Sequence, residues 1–448
     1  MWKIKDRNQT VGSFEILPNV SDIRNLMSER ASIESGQLSQ LRQLIGELKA
    51  GNKFYKARLE RAGIDKKIGS LAEFSEKMPF TTKMDLVWDR EEAPPYGTNL
   101  TYPFSEYSRY THSSGTTTAP LPWLDTTASW SAMLDCWDQV FEAAEVGSEA
   151  VVFFAFSFGP FLGFWTAFES ATRRGNLSIP GGGISSLARL QAIATHKASV
   201  LCCTPTYALR LGELLEEVRD TDEIFAEVAL KKIIVAGEPG GSIPEVRDRL
   251  SELWGGAQIF DHHGMTEVGP VTFEHIRHPL NLCMIEGSYY AEIIDRETHQ
   301  EVESGQRGEL VLTTLTRTAC PLLRYRTGDL VQKSYFEGGL CLDGGILGRV
   351  DEMVVIRGVN VYPTAVEKII RRFPEVAEFQ VKQTTRQSMA ELEVSIEPHE
   401  GAEAQQLAEK VGRALHDAFT LRIPVQLTEP GSLPRFEFKS KRWVREER

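Results

Sequence analysis

The chain has 448 residues, of which 42% are hydrophobic and 25% charged, the balance of an ordinary globular protein. Its length allows about three domain-sized units. A formal net charge of −12 argues against a general nucleic-acid binder, which needs a basic face, so any phosphate site must be a local positive patch in an acidic protein.

Residues 1–100 read as a mainly helical lead-in. Leu38, Leu41, Leu44, Ile45 and Leu48 fall at the spacing of an amphipathic helix, and Phe54, Tyr55 and Leu59 continue it after a break at Gly51. Ser70 caps another short helix through Phe74, and a Pro/Gly-rich loop follows at Pro94-Pro95-Tyr96-Gly97. From about 100 to 345 strands and helices alternate. Residues 151–168 carry no charge and approach the length of a membrane span, but Gly159, Pro160 and Gly163 interrupt them and Glu149 and Glu169 flank them. They read as a buried strand, a Gly-Pro turn and a buried helix. Further strands are expected at 198–203, 231–236 and 258–260, with helices at 185–193 and 207–218. This repetition implies parallel strands with helices on both faces, and ligands bind at the ends of such strands.

Three loops there are informative. Ser113-Ser114-Gly115-Thr116-Thr117 has no apolar side chain to bury; its amides and hydroxyls suit an anion, and the alternative is a Ser/Thr turn between two strands. Gly237-Glu238-Pro239-Gly240-Gly241 offers bare backbone against which a flat base can stack. Asp261-His262-His263-Gly264-Met265-Thr266-Glu267 ends in a hard oxygen donor suited to magnesium on a triphosphate, or else in a helix N-terminal carboxylate. Asp329, after the turn glycine of Tyr325-Arg326-Thr327-Gly328-Asp329, can accept from two ribose hydroxyls or cap its own turn. A boundary near Gly348-Arg349-Val350-Asp351 divides 1–348 from 349–448, a small α+β domain with helices at 364–372 and 404–418 and a basic end at Lys439, Lys441 and Arg442.

The six cysteines, Cys136, Cys202, Cys203, Cys283, Cys320 and Cys341, form no C-x-x-C pair and suggest no disulfide framework, so a reduced cytoplasmic compartment is expected. Met1-Trp2-Lys3-Ile4-Lys5 is not an apolar signal segment. His275, His278 and Cys283 are zinc-ligand types within one segment, with a polar loop and a buried cysteine as the alternative.

Taken in order, Pro79-Phe80-Thr81-Thr82-Lys83, the 113–117 loop, Gly237-Glu238-Pro239, Gly264-Met265-Thr266-Glu267, the 325–329 motif, the 348–351 motif, Arg357-Gly358-Val359-Asn360-Val361-Tyr362-Pro363 and Gly431-Ser432-Leu433-Pro434-Arg435 resemble the adenylate-forming acyl-CoA ligases, specifically their phenylacetate–CoA ligase-like branch. The resemblance implies an α/β fold. A large N-terminal adenylate-forming domain, with parallel and mixed sheets and flanking helices, precedes a small mobile C-terminal α+β domain. It also implies two steps: a carboxylate attacks the α-phosphate of ATP, then the thiol of coenzyme A displaces AMP. By resemblance Ser113, Ser114, Gly115, Thr116 and Thr117 hold the phosphates. Thr266 and Glu267 belong to the catalytic set, Glu267 placing the magnesium. Gly237, Glu238, Pro239, His262, His263 and Gly264 line the adenine, and Asp329 and Arg349 bind the ribose. Lys439 matches the catalytic lysine, with Lys441 as fallback and a solvated basic tail as the bland alternative. Asp351 matches the hinge, and the face around Gly358 meets the pantetheine arm.

Two departures from that family stand out. Phe438 replaces the usual glycine before the lysine, and Thr118-Ala119-Pro120 stands where a lysine usually follows the phosphate loop. The acid pocket is placed at Phe158, Gly159, Phe161 and Met265, beside an aromatic-rich turn that suits a benzoate, anthranilate, phenylacetate or heteroaryl acid. Some relatives bind zinc near His275, His278 and Cys283, and many are homodimers. A carrier protein in place of coenzyme A, or an inactive ligand-binding role, are the competing expectations.

Overall fold

The computed structural model describes residues 20–113, 120–220, 223–356, 359–386, 389–436 and 440–446. Of the residues singled out above, Met1, Trp2, Lys3, Ile4, Lys5, Ser114, Gly115, Thr116, Thr117, Thr118, Ala119, Arg357, Gly358, Phe438 and Lys439 lie outside the described residues.

The helical lead-in begins with the helix Val20–Gly51. Its leucine stripe, Leu41, Leu44, Ile45 and Leu48, is buried against Tyr55, Leu59, Phe74 and Met78, and against Tyr290, Leu315 and Leu323 from a distant sheet. The break at Gly51 has a steric cause, since a Cβ there would lie 2.0 Å from the carbonyl oxygen of Thr101. Asn52 then caps the helix Lys53–Arg61, its side chain accepting from Tyr55 N. Ser70 caps Leu71–Lys77 as expected. Thr82 and Asp85 form a reciprocal capping box on Lys83–Glu92. The preceding Thr81 is buried and pairs with Tyr325, exchanging backbone bonds with Arg324 and Arg326. The 79–83 motif therefore fastens the lead-in to the strand that carries Asp329.

The alternating region builds a five-stranded sheet in the spatial order Leu177–Pro180, Val151–Phe154, Val200–Cys203, Lys232–Ala236, Gln258–His262, every pair parallel. The helices Thr127–Ala143, Leu162–Arg173, Ser186–Thr195, Pro205–Val218 and Pro244–Leu253 pack with it around Phe153, Phe154, Leu201, Ile233 and Val235. The uncharged run 151–168 is thus strand, loop and helix, and no described helix is long and apolar enough to cross a membrane.

A second, seven-stranded sheet is antiparallel along Thr272–His275, His278–Met284, Gly339–Asp343, Tyr325–Phe336, Arg307–Thr314 and Tyr289–Ile294, with Gly348–Arg349 paired to Tyr325–Phe336. Tyr289–Ile294 is buried at every position, so it shows none of the period-two alternation that would mark a half-exposed strand. Tyr325–Phe336 does alternate, and Asp329 shares its buried side with Tyr325, Thr327 and Val331. Asp329 is therefore a strand residue, not a self-capping turn.

This sheet corrects the reading of the cysteines. Cys283 and Cys341 are register partners on neighbouring antiparallel strands and form a disulfide. Sequence could not show this, because 58 residues separate them. The same bond removes Cys283 from the zinc set. His278 instead stacks on Phe336 at 4.4 Å, His275 Nδ1 accepts from Arg277 N, and no group of three metal-ligating side chains converges among the described residues.

The C-terminal part has its own core of Val354, Val361, Val366, Ile370, Val381, Val394, Ile396, Val411 and Leu415. Its four-stranded sheet runs in the order Val425–Leu427, Met389–Pro398, Val376–Arg386, Trp443–Glu446, with the helices Pro363–Ile370 and Ala404–Phe419. The end of the chain joins the fold, since Arg442 is buried and Trp443–Glu446 is a sheet strand parallel to Val376–Arg386, while Lys441 is exposed.

Replacing Thr82 with alanine removes half of the capping box and weakens the helix Lys83–Glu92 by about 1 kcal/mol. Amide hydrogen exchange along that helix then speeds up roughly fivefold; unchanged exchange would show that the box does not hold it.

Candidate active site

Two of the loops leave the carboxyl ends of the parallel strands Lys232–Ala236 and Gln258–His262, and the second reaches the buried Asp329 through His263. The glycines of the 237–241 loop are required by close approach. Gly240 has φ +143° and a Cβ there would lie 2.6 Å from Pro205 Cβ; one on Gly241 would lie 2.3 Å from Asp261 Oδ1. Gly237 and Pro239 are exposed, whereas the Glu238 carboxylate is engaged, Oε1 accepting from Thr206 N at 3.0 Å and Oε2 from Ser440 N at 2.7 Å.

The two histidines of the next loop diverge. The His262 ring is buried 4.4 Å from Trp137 and donates from Nδ1 to Thr272 O at 2.6 Å. Burial pushes it down to about 4, so it stays neutral at working pH. His263 faces the other way, its Nε2 3.1 Å from Asp329 Oδ2. The two atoms are buried and pair with each other. Asp329 Oδ1 accepts from Arg349 Nη1 at 3.1 Å. Burial alone would raise the Asp329 carboxyl; His263 and Arg349 outweigh it and hold it below the usual carboxylate range, so it is ionised. Gly328, at φ +77°, leaves room for Arg349, whose Nη2 would otherwise stand 3.3 Å from a Cβ. Arg349 also donates to Asp351, at 2.9 and 3.3 Å.

Glu267 is buried in the turn between the short strands Gly264–Met265 and Gly269–Pro270. It is not at a helix N-terminus, so that alternative falls. Met265 is half-buried against the main core. The turn is gripped from behind by Arg317, whose Nη1 donates to Thr266 O at 2.8 Å and Glu267 O at 3.1 Å. The rest of that guanidinium is bidentate to Asp125, 2.8 and 2.6 Å, with both side chains 1% exposed. Burial opposes the charge on Arg317, but Asp125 outweighs it and raises the guanidinium. Asp125 lies on Pro122–Thr126, which pairs with Tyr107–His112 into the hairpin bearing the 113–117 loop. At its neck Ser113 Oγ accepts from Leu121 N at 3.0 Å and Ser113 N donates to Leu121 O.

Beside that neck lies an aromatic cluster. Phe161 is 5.6 Å from His112 and 6.0 Å from Phe164, and Phe158 is 5.1 Å from Trp165 and 5.4 Å from Phe168. Phe158 adopts φ +50°, an uncommon backbone for a bulky residue and one that marks functional loops. Gly159 admits the Phe161 ring, which would lie 2.9 Å from a Cβ, and its carbonyl accepts from Trp165 Nε1.

Residues 108–316 match the family described as AMP-binding enzyme, and residues 358–448 match the AMP-binding enzyme C-terminal domain. The chain is 30% identical to phenylacetate-coenzyme A ligase of Thermus thermophilus, over 91% of this chain and 95% of that one. It is 28% identical to the Escherichia coli protein of the same name, over 92% and 95%. The chain belongs to the phenylacetate–CoA ligase family. Among solved structures it resembles 2-hydroxyisobutyryl-CoA ligase in the postadenylation state with an acyl-adenylate, at TM-score 0.85, 27% identity, and 96% and 94% coverage. Against the same ligase in the thioesterification state with CoA the TM-score is 0.68 at the same coverage. Whole-chain agreement therefore depends on domain orientation, and this chain has the postadenylation arrangement.

In this family member, sequence reading singled out Asp329, Arg349, Glu267 and Ser113 but not the residues that hold them. Arg317 and Asp125 are 192 positions apart and their pairing has no local signature. Thr206 was missed for the same reason, and Arg442 was read only as part of a basic end. Changing Arg317 to alanine strands the buried Asp125 charge and costs about 3–5 kcal/mol of stability. Exchanging both partners for apolar residues of similar volume costs less. Denaturant titration distinguishes the two, and equal losses would show that the pair is not the clamp.

Proposed function

We propose that the protein is an ATP-dependent, AMP-forming aryl-acid–CoA ligase. The observation that supports this best is the buried, ionised Asp329, held between His263 and Arg349 beside the strand ends and the Glu267 turn. An ionised aspartate has lone pairs beyond those two contacts, and these suit the ribose hydroxyls. Glu267 is a single buried carboxylate, which fits a magnesium ion that takes its remaining ligands from phosphates and water. Bound there, the ion would neutralise charge on the triphosphate.

The chain's own groups do the rest. The hairpin neck at Ser113 presents the 113–117 loop to the phosphates. Arg317 fixes the carbonyls of Thr266 and Glu267, so the acidic side chain is preorganised and not recruited by the ligand. The aromatic walls of Phe158 and Phe161 receive an aryl carboxylate. Its oxygen attacks the α-phosphorus as the bond to the β-phosphate oxygen breaks and pyrophosphate leaves. Lys439 offsets the charge that builds up where the two anions meet. The thiol of coenzyme A then attacks the acyl carbon, the carbon–oxygen bond to phosphate breaks, and AMP leaves.

Purified protein given ATP, magnesium and a panel of aryl acids should show acid-dependent pyrophosphate exchange, followed by AMP release that requires CoA. Absence of any acyl-adenylate across the panel would end this reading. Acylation of a phosphopantetheinyl carrier but not of CoA would change the acceptor only. Lys439→Ala should lower adenylation by about 10²–10³-fold; an undiminished rate would remove that residue from its role.

A further inference from the structure

Both oxygens of the Glu238 carboxylate are engaged, divided between two backbone amides from opposite sides of the domain boundary. Oε1 accepts from Thr206 N, in the first turn of the helix Pro205–Val218, and Oε2 accepts from Ser440 N. Ser440 follows Lys439 directly in the chain. Two residues further on, the buried Arg442 donates to Glu378 at 2.6 and 3.1 Å and to Glu367 at 3.1 Å, all within the small domain. Its one contact across the boundary is Thr206 Oγ1 at 3.2 Å. Thr206 therefore serves both ends, its amide held by Glu238 and its hydroxyl by Arg442. The result is a closed ring through Glu238, Ser440, Arg442 and Thr206 around the segment that carries the lysine.

We propose that Glu238 is a positioning residue, a latch that docks the Lys439 segment in the orientation for adenylation; this rests on the proposed function. The contacts are specific to one arrangement. A charge-assisted bond from a carboxylate to a backbone amide is stronger than a neutral one, and it exists only while Ser440 lies against the large domain. Its loss on rotation is the differential interaction that can bias a two-state equilibrium. The Glu378 and Glu367 contacts of Arg442 belong to the small domain and travel with it, so they hold the segment in shape but do not choose its orientation. Glu238, with Thr206, makes that choice.

The test separates the half-reactions. In Glu238→Ala, acid-dependent pyrophosphate exchange falls about 10- to 100-fold through kcat, as expected for loss of a hydrogen bond to a charged group, while KM for ATP stays within twofold. Thioester formation from synthetic acyl-adenylate and CoA keeps the wild-type rate, and the melting temperature of the variant is unchanged. Glu238→Gln, which can still accept at one amide, recovers part of the exchange rate. Equal loss in both half-reactions, or a raised KM for ATP with kcat intact, would assign Glu238 to nucleotide binding and overturn the latch. So would exchange that is unaffected. Should wild-type protein form no acyl-adenylate, the functional reading fails first and the two failures are told apart.

Discussion

A carboxylate and a triphosphate repel each other, and here they have to meet inside a chain whose own net charge is −12. The described site meets this constraint by pairing its acids, not by removing them. Asp329 is paired with Arg349, and Asp125 with Arg317. A buried carboxylate left alone would either protonate or destabilise the fold by several kcal/mol. Paired, it becomes a fixed feature that can orient other groups. The Asp125–Arg317 pair makes no contribution to charge near a ligand, since both partners are spent on each other. Its value is geometric: one guanidinium ties the strand of the phosphate hairpin to the carbonyls behind Glu267. The hairpin strand and the Glu267 turn are thereby fastened to a single rigid group.

Much of this was legible where the chemistry is local. The Ser70 cap, the leucine stripe of the first helix and the βα alternation all follow from nearest-neighbour physics, and they appear where the residues place them; the caps at Asn52 and Thr82 were not singled out. Asp329 and Glu267 could be singled out because a lone acid in a Gly-rich, ligand-facing loop has few other uses. What sequence could not show depends on register between distant strands. The antiparallel sheet hides its strands by burying both faces of Tyr289–Ile294. The Cys283–Cys341 bond, the Arg317 clamp and the split loyalties of Glu238 each join residues far apart in the chain. A sequence motif identifies what is held, whereas the fold decides by what.

The two histidines make the same point within one loop. Adjacent and chemically identical, they were read together as a wall for the base. Because the strand ends there, one ring turns into the core and is fixed as a neutral donor to Thr272, and the next faces Asp329. Strand alternation, which sends neighbours to opposite faces, decides their fates.

The same accounting bears on how the small domain could turn. Arg349 joins the buried Asp329 to the half-exposed Asp351, the residue placed at the hinge by resemblance. Its bond to Asp351 is solvent-accessible, and exposed pairs of this kind contribute roughly 0–1 kcal/mol. The bond to Asp329 is shielded, and both residues lie on paired strands of the seven-stranded sheet. Elsewhere along the boundary, Arg372 and Glu245 form another partly exposed pair at 3.4 Å. The strongly buried ion pairs of Arg442 stay inside the small domain. Among the described residues, Glu238 is a charged group whose two oxygens bond on both sides of that boundary. A boundary built this way can be selective about orientation without being slow to leave it.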